Sequence, residues 1–258
     1  MHEITLFQGI LLAIMAFIVG MDFYLEVFFW FRPIICGTLT GLILGNLQLG
    51  LVCGGAAELA FAGLTPAGGT QPPNPILAGI MAPVLAYSTG VEATEALALA
   101  LPFSFLMQYV VLMFWSGYSF LMPLMDKSLS ELNFKKFNFL SIGSLILVGI
   151  VYAIIVFLCA YLAQDVMRNL VGMMPEWLSH GFEVLGGVLP AIGFAMLLKI
   201  MLKSWLIPYL IFGFIFATFL PFSNLLPLAL TAVGMALIDY YRQDNTVVKG
   251  EIDDEEGI

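Results

Sequence analysis

Between Glu95 and Asp126 the chain carries no charged residue. As a helix, at about 1.5 Å per residue, that run is longer than the ~30 Å hydrocarbon core of a bilayer, so at least one segment crosses a membrane. The rest is of the same kind. Hydrophobic residues make up 61% of the chain and charged ones only 10%, against about 25% charged in a soluble domain. No water-soluble globule of 258 residues could hide so much apolar surface. The sequence predicts an all-α polytopic membrane protein with roughly seven to nine hydrophobic segments, some of them re-entrant.

One stretch interrupts this oily background. From Gly54 to Pro75 the sequence reads GGAAELAFAGLTPAGGTQPPNP. It holds a lone acid, Glu58, inside an apolar run. A loop follows, broken by Pro66, Pro72, Pro73 and Pro75 and by Gly63, Gly68 and Gly69, with Thr65, Gln71 and Asn74 as uncharged polar side chains. Lipid offers no hydrogen-bond partners, so irregular backbone beside membrane-depth helix persists only where protein or a water-filled cavity covers it. Transporters tend to hold substrate at such places. Glu58, Thr65, Gln71 and Asn74 are therefore the expected substrate-binding residues. Amides both donate and accept, which suits sugar hydroxyls and equally suits satisfaction of the loop itself. Two readings of Glu58 stay open: an acceptor or proton site facing a cavity, or a carboxyl that ties backbone together.

In chain order, Thr5 to Gly20 is a first apolar helix with Gln8 as its strongly polar side chain. The aromatic run from Met21 to Arg32 brings in Asp22, Glu26 and Arg32. Asp22 and Glu26, four apart, share a helix face. The three charges are either a structural cluster or an interfacial segment at headgroup level. Pro33 to Gly45 has glycines at 37, 41 and 45, the small-xxx-small spacing that lets helix backbones approach closely in lipid. Leu49 to Gly63 and Ile76 to Thr89 are too short to cross comfortably, and read as tilted spans or as the arms of a re-entrant hairpin around the loop. Ala96 to Met125, Phe139 to Ala163, Gly181 to Leu202, Trp205 to Leu220 and Leu225 to Tyr240 complete the apolar set. The sequence between them predicts an aqueous loop at 126–136 and an amphipathic interfacial stretch from Gln164 to Ser179.

Of the net charge of -9, -4 falls after Asp239, where six acids stand against Arg242 and Lys249. The expected domains are a membrane-embedded 1–240 and a solvated acidic tail, 241–258. There is no basic patch, so nucleic acid is not an expected partner. Cys36, Cys53 and Cys159 stand singly, without metal or redox spacing, and read as small buried hydrophobes. His2 and Glu3 stand where a cleavable signal would be basic. Lys127, Lys135, Lys136, Lys199, Lys203 and Arg242 fall in segments that the span count places on one side, the cytoplasmic one, together with the C-terminus. No Ser/His/Asp arrangement, phosphate-cradling glycine loop or metal cluster is visible, and His180 reads as interfacial. The chain is not expected to be a self-contained enzyme, and no cofactor is expected.

The segments FRPIICGTLTGLILGNLQLGLVCGGAAELAFAGL, PPNPILAGI and GFEVLGGVLPAIGFAMLL resemble the enzyme IIC subunit of the mannose/sorbose-type sugar phosphotransferase system. The resemblance extends to about Tyr240. MHEITLFQG, ELAFAGLTPAGG and SHGFEVLGG look most like the N-acetylgalactosamine/galactosamine branch. The resemblance implies an elevator-like core and a IID membrane subunit paired with this chain in a larger symmetric oligomer. It also implies inward passage of a hexose or amino sugar, phosphorylation by soluble IIB fed through IIA, and a bacterial cytoplasmic (inner) membrane location. The phosphorylated histidines would lie on the soluble subunits. The acid of the GGxxE segment maps to Glu58 and the loop amide to Asn74. Two other classes compete: a stand-alone ion-coupled sugar transporter using Glu58, and a non-transporting membrane scaffold.

Overall fold

The computed structural model describes residues 2–63, 72–219 and 226–255, with side chains described as far as Tyr241, Leu170 excepted. All regular structure among the described residues is helical. The order is α1 (Leu6–Leu25), α2 (Pro33–Leu44), α3 (Leu47–Phe61), α4 (Pro75–Thr89), α5 (Ala93–Ser130), α6 (Phe134–Phe157), α7 (Gln164–Gly172), α8 (Glu176–Met201), α9 (Ile207–Phe219) and α10 (Leu226–Glu255). A π-helical turn, Leu158–Leu162, prolongs α6, and a 3-10 turn, Ser204–Leu206, precedes α9.

Among the described residues four helices are long and apolar enough to cross a membrane: Leu6–Leu25, Ala93–Ser130, Phe134–Leu162 and Glu176–Met201. Helices α2, α3 and α4 are shorter. The chain divides into two compact units, Met1–Lys199 and Ile200–Ile258. Helical backbone also runs through the expected start of the tail, from Leu226 to Glu255. In the first unit the aqueous loop foreseen at 126–136 shrinks to 131–133, because α5 continues to Ser130 and Asn133 caps α6 by accepting from the Lys136 amide at 3.1 Å. The amphipathic stretch splits into α7 and the first turn of α8.

Helix starts follow local capping chemistry. Thr5 and Gln8 form a reciprocal capping box at α1. Asn46 and Asn74 cap α3 and α4 through the amides of Leu49 and Leu77, each at 3.1 Å. Pro33 and Pro75 occupy the first turns of α2 and α4, where a missing N–H costs nothing.

Helices α2 and α3 are an antiparallel pair joined at Gly45–Asn46. A Cβ on Gly37 would meet the Gly54 Cα and the Gly50 carbonyl. One on Gly41 would meet Gly50 and the Asn46 carbonyl. Two of the three glycines in the 37/41/45 spacing therefore sit at a backbone-to-backbone contact, as their spacing predicts. Gly45 serves differently. It is the C-cap of α2 at φ +79°, with open space around its Cα. Between apolar helices in lipid the hydrophobic effect supplies little, so close packing has to.

Helix α4 lies at the centre. Of its residues, only Pro75 and Tyr87 are not fully buried. It packs on α2, α3 and α5, and Gly79 lets it approach Pro33 and Cys36 of α2. A helix apolar all round is a buried one. Helices α1 and α6 pack along each other, with Gly9 against Tyr161, Gly20 against Tyr152 and Gly149 against Phe17 and Met21.

The N-terminal residues are strapped to one end of this unit. The His2 amide donates to the Tyr87 carbonyl at 3.1 Å and its ring stacks on Tyr87. Ile4 exchanges two hydrogen bonds with the Gln164 side chain, and Glu3 lies 3.5 Å from Arg168.

Gly50→Leu is expected to prise α2 from α3 and destroy the detergent-stable fold. Gly45→Ala, strained only by its backbone, should cost about 1 kcal/mol. Thermal unfolding followed by size-exclusion chromatography separates the two outcomes.

Candidate functional site

The described edge of the broken loop is Asn74, which is 4% exposed. Every hydrogen-bonding group of this residue is engaged by the protein. Its side-chain oxygen accepts from the Leu77 amide, and its side-chain nitrogen donates to the Tyr152 hydroxyl at 2.7 Å. Its own amide donates to the Ser104 carbonyl at 3.1 Å, and its carbonyl accepts from the Ser104 hydroxyl at 2.6 Å. The end of the loop is thereby sewn to α5 and α6, and through the Tyr152 ring it rests on Gly20 of α1.

The partners of Asn74 give its depth. No residue from 137 to 164 is charged, a run of about 40 Å, and Tyr152 lies within about 3 Å of its middle at helical rise. Ser104 lies about 10 Å from the middle of the charge-free run of α5. The Pro-broken segment therefore ends near mid-membrane, beyond the reach of bulk water, which is why each polar atom of Asn74 has a protein partner.

Glu58 lies on α3, 18% exposed at its side chain, and forms an ion pair with Arg32. Its second oxygen accepts from the Ile34 amide at 3.3 Å. This carboxylate thus binds the N-terminus of α2, where α2 exposes amides that its own helix leaves unpaired. A carboxylate has about four acceptor positions, so two protein donors leave capacity for a hydroxyl donor. One of the two sequence readings put Arg32 in a cluster with Asp22 and Glu26. The structure does not. Asp22 is 4% exposed and accepts the amides of Phe28 and Trp30 at 2.9 and 2.7 Å. Glu26 is the left-handed C-cap of α1 at φ 49°. Helix α1 ends at Leu25, so the chain turns back before Glu26 can extend the Asp22 face, and tertiary packing delivers Glu58 to Arg32 instead. Thr65 and Gln71 lie outside the described residues.

Sequence reasoning missed the partnership of Asn74 with Tyr152, because nothing local links residues that far apart. It also missed a crevice of about 520 Å³ at the other end of the short helices, where Asn46, Gln48, Glu92 and Thr94 sit among Leu49, Val52, Val91 and Ala93. Two short turns, one capped by Asn46 and one carrying Glu92, meet there only in three dimensions. Glu95, 8% exposed, accepts from the Ser179 hydroxyl at 2.5 Å, and a Cβ on Gly186 would strike the Thr94 backbone. These contacts fix the start of α8 to the start of α5.

The chain matches, over residues 6–238, the family model described as PTS system sorbose-specific IIC component. It belongs to this family. This IIC component is a membrane permease of the sugar phosphotransferase system, of the mannose/sorbose class. It is 55% identical to the N-acetylgalactosamine permease IIC component 1 of Escherichia coli K12, over 93% of this chain and 90% of the relative. It is 30% identical to the sorbose-specific EIIC component of Klebsiella pneumoniae, over 94% and 91% of the two chains. Among solved structures, a chain described as "Structure of membrane protein" superposes with a TM-score of 0.82 at 29% identity, covering 93% of the IIC component and 97% of that chain. A chain from the cryo-EM structure of the mannose transporter ManYZ with microcin E492 superposes with a TM-score of 0.60, also at 29% identity, covering 94% and 97%. Family and fold agree with the sequence expectation of a polytopic all-helical transport subunit.

Asn74→Ala removes a cap and strands the Tyr152 hydroxyl and the Leu77 amide. It is expected to destabilise the IIC component by about 2–4 kcal/mol, and Tyr152→Phe by about 1–3 kcal/mol. Thermal melting of the detergent-purified protein measures both. An additive loss in the double variant would show that the two side chains do not act as one unit.

Proposed function

We propose that the IIC component binds a hexose or amino sugar, N-acetylgalactosamine or galactosamine, and carries it inward. It would do so with a IID membrane subunit, in an assembly of IIC–IID pairs. Soluble IIB would phosphorylate the sugar with phosphate passed through IIA. The observation that carries the site is Asn74, a loop end sewn to α5 and α6 near mid-membrane and adjoining the segment that bears Thr65 and Gln71. The sugar preference rests on the 55% identical relative and its printed specificity. The IID partner is supported by the likeness to the ManYZ mannose transporter.

In this reading Glu58 accepts from sugar hydroxyls, and Thr65 and Gln71 are further contacts to the sugar. Asn74 forms the fixed floor rather than a direct contact. The ion-coupled alternative gives Glu58 to a proton or sodium ion. The geometry favours the sugar reading, because both Glu58 oxygens already hold protein donors that shape and orient the carboxylate.

Orientation follows from charge. Lys127, Lys135 and Lys136 gather at one end of α5 and α6, and cytoplasmic loops are lysine-rich. His2 and His180 lie at the opposite end: His2 against Tyr87, and His180 next to Ser179, which bonds Glu95. In this reading neither is within reach of a cytoplasmic phosphoryl donor, and the phosphorylated histidines belong to the soluble subunits. The membrane is the bacterial cytoplasmic one. Residues 1–240 form the membrane-embedded part, and 241–258 form an acidic cytoplasmic extension.

Glu58→Gln is expected to abolish phosphoenolpyruvate-dependent sugar uptake in cells while the protein remains inserted. Wild-type uptake would take Glu58 out of the site. An uptake that collapses on dissipating the ion gradient, and proceeds without phosphoenolpyruvate, would establish the ion-coupled alternative. Deleting residues 250–258 should leave transport intact. Loss of uptake at normal expression would make that segment a docking element.

A further inference from the structure

The segment between α1 and α2 is built to push aromatic rings outward. Glu26 and Phe29 both take left-handed backbone, at φ 49° and 57°, a conformation costing roughly 1–2 kcal/mol per residue for a side chain with a Cβ. The buried Asp22 carboxylate offsets that cost by holding the amides of Phe28 and Trp30. The Cys36 thiol donates to the Trp30 carbonyl. The outcome is a braced loop with exposed rings: Phe28 is 66% exposed, Phe29 52%, and Trp30, which also lines a groove between α1 and α2, 41%.

The register of α1 on α6 gives this loop a depth. Met21 lies at Gly149, so Leu25 reaches the level of about residue 145, some 14 Å short of Lys136. A ~30 Å hydrocarbon core centred on the charge-free run of α6 begins about 7 Å inside Lys136. The loop therefore starts about 7 Å within the hydrocarbon. Among the described residues no acceptor faces the amides of Val27, Phe29 or Phe31. The guanidinium of Arg32 is half-exposed beyond its Glu58 contact. Lipid can satisfy none of these donors.

We propose that residues 26–32 are the docking surface for the second membrane-embedded subunit, and that this partner presents carbonyl or carboxylate acceptors to the loop amides and Arg32 between the rings of Phe28, Phe29 and Trp30. This rests on the reading that the chain works with a IID subunit. A second copy of this chain fits less well, because a self-facing surface would set three amides and a guanidinium against their own kind, with Glu26 as the one carboxylate to meet them. A headgroup-level aromatic belt is the other alternative, and it would leave the amides to water.

The test is photocrosslinking in intact membranes containing the full set of subunits, with a benzophenone amino acid replacing Phe28 or Phe29 in turn. The adducts are identified by mass spectrometry, and co-purification of IID is measured in the same preparations. The expected result is a product at the combined mass of this chain and IID at both positions. Adducts solely to phospholipid, to a second copy of this chain, or to its own α9–α10 would overturn the proposal. If IID co-purifies while the probes find lipid, the docking surface is wrong and the partnership stands. If IID does not co-purify at all, the partnership reading fails together with the surface.

Discussion

A hydrogen bond between Asn74 and Tyr152, backed by the two-way exchange between Asn74 and Ser104, holds the fold together where it is most at risk. A chain that breaks its helices near the middle of a bilayer leaves backbone donors and acceptors facing hydrocarbon, each costing several kcal/mol if unmet. The unit from Met1 to Lys199 meets that cost by ending the loop on a side chain that caps α4, bridges to α6 and ties its own backbone to α5. Helix α4 can then be wholly buried, and α2 and α3 can stop short of a full crossing.

The two carboxylates of this region follow the same logic. Asp22 and Glu58 both engage backbone amides where helices end or begin. Asp22 holds the turn after α1, and Glu58 holds the first amides of α2 together with Arg32. Such groups are costly in a membrane and are retained where they organise irregular backbone or meet a ligand. In Glu58 the two roles are compatible, because the acceptor positions left after Arg32 and Ile34 are held at a fixed angle. Pre-orientation of this kind lowers the entropy lost when a hydroxyl binds.

Glycine does the remaining work. Gly37 and Gly41 on Gly50 and Gly54 bring α2 and α3 to backbone contact. Gly20 receives the Tyr152 ring, and Gly193 of α8 rests on the Leu59 and Ala60 carbonyls of α3. Van der Waals contact at short range replaces a hydrophobic driving force that lipid removes. Helix α8 meets its neighbours chiefly at Gly186 and Gly193, its two buried residues.

Membrane class, helix count, the family segments and the Pro-broken stretch were legible in the sequence, because they depend on composition, local capping chemistry and helical spacing. The 37/41 glycines, the capping asparagines and the prolines in first turns all act within a few residues of themselves. What belonged to tertiary structure was who meets whom. Arg32 reads locally as a neighbour of Glu26 and Asp22, and the fold gives it to Glu58. Asn74 reads equally as a ligand contact or as an amide that satisfies the loop, and the fold spends it on Tyr152. A side chain's periodicity fixes its face, but its partner lies on another helix, and only the packing of helices onto one another decides which polar groups share a site at membrane depth.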